Sequence, residues 1–233
     1  MVCLSKDFLL KTLLITINNG KKRFLLLVSL TVVLLCAIAI FSIIGNRLPD
    51  NIETKAKELK EYCVKNNYNT NVGVLVDYSV HSGCARFVVW DFKNNKVLLK
   101  SICAQGCGTG ENQGKNVFSN EIGSLCSSLG HYKIGKERKM NSIKGRPALN
   151  LTGLESTNSN AIARGILIHP VHLPSFSIYP FSIPSKVYRI FGKAIMRPYS
   201  EGCVTVPFEK YKETVKILNM NKGRPVILWV YAN

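Results

Sequence analysis

Acidic residues are scarce in this 233-residue chain. Asp and Glu number 14 against 31 Lys and Arg, a formal net charge of +17. A second long apolar run is also missing, which argues against a multi-span transporter. The eight Cys lack the dense, even spacing of a small disulfide scaffold. No His or second Cys pair follows Cys103 and Cys107 at zinc-finger spacing, so no metal is expected. No Gly-Lys-Ser/Thr follows the GCGTGE piece at 106–111, so it is not a phosphate loop. Internal repeats are absent. Disorder is excluded by an apolar content of 46%, because disordered chains lack the residues to build a core.

What is present begins with Phe24 to Ile44, an uncharged run. As a helix it spans about 30 Å, the thickness of a hydrocarbon core. Lys21, Lys22 and Arg23 precede it and favour an N-inside orientation. The expected division is a cytoplasmic stub at 1–23, a transmembrane anchor at 24–45, a helix and linker at 46–83, and a catalytic domain at 84–233. A cleaved signal peptide is the rival, with Ala37-Ile38-Ala39 as its small-x-small site, but the apolar run continues past it. Beyond residue 45 the charge is +13, since Lys6, Lys11, Lys21, Lys22 and Arg23 stand against Asp7 in the stub. Outside the cytoplasm such charge suits headgroups, wall polymers and carboxylate-bearing peptides, or simple solubility, rather than nucleic acid. In an oxidising compartment some of Cys63, Cys84, Cys103, Cys107 and Cys126 are candidates to pair.

Periodicity predicts a helix over 50–68, with Ala56, Leu59, Tyr62 and Cys63 on one face. Strands dominate afterwards. Residues 86–92 and 97–100, joined by an Asn-rich link, read as a β-hairpin. Gly145 and Pro147 mark a turn, and 149–154 a short strand. Residues 165–169 read as a buried strand ending in His169. Five Pro between 170 and 199 suggest a long irregular insertion. A helix is expected over 208–219, and a last strand over 226–231.

Ser200-Glu201-Gly202-Cys203, leading into Val204-Thr205-Val206, suits a nucleophile at a loop-to-strand junction. Gly allows close backbone approach, and the local N–H groups can face a developing oxyanion. A Cys nucleophile needs a base, because the thiolate is the reactive form. His169 is the strongest candidate, with His131 and His172 as competitors. His81 lies in a polar stretch and reads as a surface residue. The bland alternative is that Cys203 is one more small buried hydrophobe.

From about residue 84 onward the segments resemble the murein L,D-transpeptidase catalytic domain family, of the YkuD type. The similarity is carried by Phe87 to Leu99, Ala104-Gln105-Gly106 through Glu111, and Phe118-Ser119-Asn120. It continues through Gly123-Ser124, Ser127 to Tyr132, Leu151 to Glu155, and Asn158, Asn160, Ala161 and Arg164. Ile166 to His169 resembles the strand bearing the family's base. Ser200, Gly202 and Cys203 match its ser-x-gly-cys signature, and Val226 to Tyr231 its last strand.

The resemblance implies a mainly β, sandwich-like catalytic domain with a few helices, preceded here by the transmembrane helix. It implies acyl transfer without a cofactor. Cys203 would form a thioester with the residue-3 diamino acid of a peptidoglycan tetrapeptide stem, with His169 as base. Gly202 and Cys203 N–H would form the oxyanion hole, and Ser200 would support the loop. Ser128, Gly130, Tyr132 and Arg164 are implied to bind substrate. The implied partners are stem peptides and, through the N-terminal helix, the cytoplasmic membrane. Water as acceptor would make the protein an L,D-carboxypeptidase. A non-catalytic wall-binding module is the reading from a different class. Gln105 stands where the family often has His. Glu201 should raise the Cys203 pKa unless it points away.

Overall fold

The computed structural model describes residues 6–112, 116–140, 146–171 and 199–232, with side chains from residue 21 onward except those of 140 and 199. The Pro-rich stretch between Val171 and Tyr199, His172 and Gly145 lie outside the described residues. The chain divides into two units, Met1–Ile43 and Ile44–Asn233.

Unit one is a single helix, α1 (Lys6–Gly45). Its segment Lys21–Gly45 is 25 residues long and holds an 18-residue window of mean hydropathy 3.0, none of it buried in the protein. By length and composition it can cross a bilayer.

In unit two, α2 (Ile52–Lys65) buries Ile52, Ala56, Leu59 and Cys63. Their spacing makes one apolar stripe. The stripe packs on Leu75, Val88, Trp90 and Ile227 of the sheet.

Those residues belong to β1 (Val72–Asp77), β2 (Phe87–Asp91) and β10 (Ile227–Tyr231). Residues 72–77 were expected in the linker. They form a strand that lies between β2 and β10, paired antiparallel to the first and parallel to the second. All six of its residues are buried. A strand buried on both faces shows no alternation in sequence, which is why its pattern passes for linker.

The remaining strands are β3 (Lys96–Ser101), β4 (Gln105–Gly106), β5 (Gly130–Met140), β6 (Arg146–Gly153), β7 (Leu167–Val171), β8 (Tyr199–Ser200) and β9 (Val204–Pro207). The expected β2–β3 hairpin is present, with Asn95 at φ 49° in its turn. The long β5 was not expected. Pro147 is not in a turn but in β6, opposite Lys139.

Eight strands form one sheet, ordered β3-β2-β1-β10-β5-β6-β7-β9, and β4 pairs with β8 separately. Helix α3 (Phe208–Met220) packs on β7 and β9 at one end of the sheet and on β3 at the other. Ala104, just past β3, also bridges to Thr205 in β9. The sheet therefore curls nearly closed. Val74, Phe87, Leu149, Ile168, Val204 and Leu228 meet with Tyr211 of α3 in one core.

Cys36, Cys63, Cys84, Cys103, Cys126 and Cys203 are free thiols in this structure. Among the described residues no cluster of three metal-ligating side chains occurs.

Buried Asn69 ties the start of β1 to the loop before β10. Its Nδ2 donates to Asn221 O at 2.9 Å and Arg224 O at 3.3 Å, and its Oδ1 accepts from the N–H of Asn71 and Val72. Asn69→Ala leaves these backbone groups without that partner. A loss of about 2–4 kcal/mol is expected, read as a lower urea midpoint at unchanged slope.

Candidate active site

Three residues, Glu201, Gly202 and Cys203, turn the chain from β8 into β9. Gly202 sits at φ +111° and is buried. A Cβ there would lie 2.9 Å from Cys126 O and from Ile166 Cδ1, and 3.0 Å from Arg164 Nη2. Both the left-handed backbone and the close packing therefore require glycine. Ser200 braces the turn: its Oγ donates to Cys203 O at 2.6 Å and accepts from Gly202 N–H at 3.2 Å. The expected support role of Ser200 has this physical form. The Gly202 N–H, expected to face an oxyanion, is instead engaged by Ser200.

A second brace was not anticipated. Ser127 Oγ accepts from Gly106 N–H at 2.9 Å and donates to Gly202 O at 3.3 Å. It fastens the turn to β4. The Ser127-Ser128 pair was visible in the sequence, but nothing in the pattern said which hydroxyl faces Gly202.

β7 and β9 run parallel, with Ile168 opposite Val204 and His169 opposite Thr205. Ile168 and Val204 face the core. Successive side chains alternate between faces, so His169 and Thr205 share the other face, and Cys203 stands at the mouth of β9, two residues before Thr205. His169 is half-buried. Its Nδ1 lies 3.2 Å from Pro170 O. A carbonyl only accepts, so a hydrogen bond here needs the proton on Nδ1.

The Cys203 thiol is half-buried. It donates to Gly165 O at 3.7 Å. Burial is the main influence on it and pushes its pKa up to about 11. The Leu167 N–H donating to sulfur opposes that shift, the Glu201 carboxylate adds to it, and the Arg164 guanidinium opposes it. Only about one thiol in 10⁴ is then ionised at neutral pH. A base must take the proton as sulfur attacks.

The four residues implied to bind substrate are used inside the protein. Arg164 donates to Ser119 O, Ser128 Oγ, Ser124 Oγ and Cys126 O. Buried Ser128 and buried Tyr132 bond each other through their hydroxyls at 2.8 Å. Gly130, at φ +117°, is packed under Glu155 and Asn158. They hold the 119–132 segment against the turn that carries Cys203.

His131 is not a base for Cys203. Its ring is stacked between Tyr62 and Trp229, at centroid distances of 3.9 and 4.9 Å, and its Nδ1 is bonded to Glu155. His81 is exposed, as expected. Gln105 is buried, where its Oε1 accepts from Arg86 at 2.9 Å and its Nε2 donates to Asn116 at 2.8 Å.

A family model described as an L,D-transpeptidase catalytic domain matches residues 48–229. No curated protein matches the chain. Among solved structures, Bd1075 of Bdellovibrio bacteriovorus is similar at 14% identity and TM-score 0.39, over 71% of this chain and 49% of its own. The helical cell shape determining protein Pgp2 of Campylobacter jejuni is similar at 12% and 0.38, over 75% and 55%. An L,D-transpeptidase of Stackebrandtia nassauensis is similar at 13% and 0.34, over 70% and 56%. The chain spans about half the length of these structures.

Two outcomes follow from this geometry. Alkylation of Cys203 by iodoacetamide, followed by peptide mapping, should climb with pH toward about 11. Glu201→Gln removes a charge that holds the proton on, so its profile should move to lower pH. Gly202→Ala should cost about 1–3 kcal/mol from backbone strain and lower the Tm.

Proposed function

The chain belongs to the L,D-transpeptidase catalytic domain family, and from that premise we propose that it is a cysteine-dependent acyltransferase acting on peptidoglycan stem peptides. The observation that supports this reading is the β7–β9 pairing, which sets the strand bearing His169 beside the strand that Cys203 leads into.

The reaction runs in two halves. His169 Nε2 takes the Cys203 proton as sulfur attacks the carbonyl of the third stem residue. The oxyanion forms against the Cys203 N–H, with Gly202 N–H able to join by exchanging its bond to Ser200. Collapse breaks the amide, and the departing D-Ala nitrogen takes the proton from the imidazolium. A thioester remains on Cys203. The side-chain amine of a second stem then attacks, losing its proton to His169. The C–S bond breaks, the thiol is reprotonated, and a 3→3 cross-link is released.

Water in place of the amine would give an L,D-carboxypeptidase. The partial exposure of the Cys203 thiol favours keeping this second reading.

The proposed organisation is an N-terminal stub at 1–23, an anchor at 24–45 and a catalytic domain in the periplasm or wall space. The domain is taken to begin near α2 rather than at residue 84. The family match from residue 48 and the inclusion of β1 in the sheet support that limit.

Incubation with a tetrapeptide muropeptide and a free D-amino acid, resolved by mass spectrometry, tests the proposal. Exchange or dimer product should appear, and Cys203→Ala should abolish it. His169→Gln should lower turnover by roughly 10²–10⁴-fold. Tripeptide alone would assign the carboxypeptidase. Intact substrate with folded protein would favour a non-catalytic wall-binding module.

A further inference from the structure

A groove of about 790 Å³ lies on the sheet face that α3 covers, opposite the face of His169. Its volume falls in the range of small-molecule sites, roughly 300–1,000 Å³. The floor is aliphatic, made by Ile134, Leu149, Val215, Leu218 and Val226. The rim is cationic, with Lys136, Lys222 and Arg224. Glu137 is the one acidic residue in the lining, and its carboxylate accepts from Tyr211 OH at 2.9 Å.

Two features of the backbone build this shape. In β5, Gly135 and Lys136 together oppose the single Asn150 of β6, a bulge that bends the strand. On the other wall, the 221–225 loop is pinned by Asn69 through Asn221 O and Arg224 O, and Asn69 N–H donates to Pro225 O at 3.0 Å. The wall carrying Lys222 and Arg224 is therefore set before any ligand arrives. Arg138, Lys139 and Arg146, exposed along the same β5–β6 hairpin, extend the positive field.

We propose that this groove binds an anionic phospholipid, with the phosphate on the Lys136, Lys222 and Arg224 rim and an acyl segment on the aliphatic floor. The charge selects the headgroup. The floor selects an amphiphile over a soluble polyanion, which would satisfy the rim and leave the apolar surface wet. The same chain carries a 25-residue apolar helix of membrane-crossing length, so lipid is its nearest abundant anion. The inference rests on the anchored reading of the chain. The muropeptide assay above, run on the same variants, succeeds or fails independently of it.

The test uses the full chain in neutral maltoside micelles. Binding of dihexanoyl-phosphatidylglycerol, dihexanoyl-phosphatidylcholine and glycerol phosphate is measured by native mass spectrometry. The phosphatidylglycerol should bind tightest. The triple variant Lys136→Gln, Lys222→Gln, Arg224→Gln should weaken it about tenfold or more, since each basic group near a headgroup contributes on the order of 1 kcal/mol. Leu218→Ser should weaken the lipid and leave glycerol phosphate unchanged. Circular dichroism confirms that both variants fold. Equal binding of phosphatidylcholine would overturn the proposal, as would binding indifferent to the triple variant. Glycerol phosphate binding as tightly as the lipid would also overturn it, and would assign the rim to a soluble phosphate polymer.

Discussion

The pairing of β7 with β9 is the constraint on which the site depends. A parallel register that puts Ile168 beside Val204 turns both into the core and, by alternation, turns His169 to the opposite face, one strand away from the turn that carries Cys203. A slip of one residue would turn His169 into the core and a valine out of it. The register is held from both sides. Val204, Val206 and Ile168 are almost fully buried, so any slip loses apolar contact. Ala104 bonds Thr205 across the far edge of β9. The near-closure of the sheet thus serves the site as much as the core.

The turn before β9 is held more tightly than a surface loop needs to be. Ser200 and Ser127 place hydroxyls on Gly202 and Cys203, and Arg164 gathers the 119–128 segment beneath them. Burial keeps the Cys203 proton in place, and Glu201 adds to that. A thiol so held is quiet until a base and a carbonyl approach together. In the proposed reaction the attack therefore depends on His169 meeting the thiol, not on a standing thiolate.

Much of this was legible in the sequence, for identifiable reasons. Cys203 and His169 stood out because each sits beside Gly or at the end of an apolar run, and the resemblance to a family supplied their roles. Helix α2 was visible through its stripe, and the β2–β3 hairpin through its Asn-rich turn. β1 was not, because VGVLVD is buried on both faces and has no alternating pattern. β5 was hidden by Lys136, Glu137, Arg138 and Lys139, whose run of exposed charge reads as loop. The internal contacts of Ser128, Gly130, Tyr132 and Arg164 were not legible, because a motif marks positions without saying which way they face. Burial decides that, and burial is set by residues distant in sequence, such as Glu155 and Asn158 against Gly130.

The central claim is that Cys203 carries the acyl group. Intact-protein mass spectrometry, with acid quench during turnover of a tetrapeptide muropeptide and peptide mapping of the adduct, tests it most directly. The account predicts a mass increase equal to the donor stem less D-Ala, located on the peptide containing Cys203 and released by hydroxylamine, as a thioester requires. An adduct on another cysteine, or turnover with no adduct accumulating even when the acceptor is withheld, would contradict it.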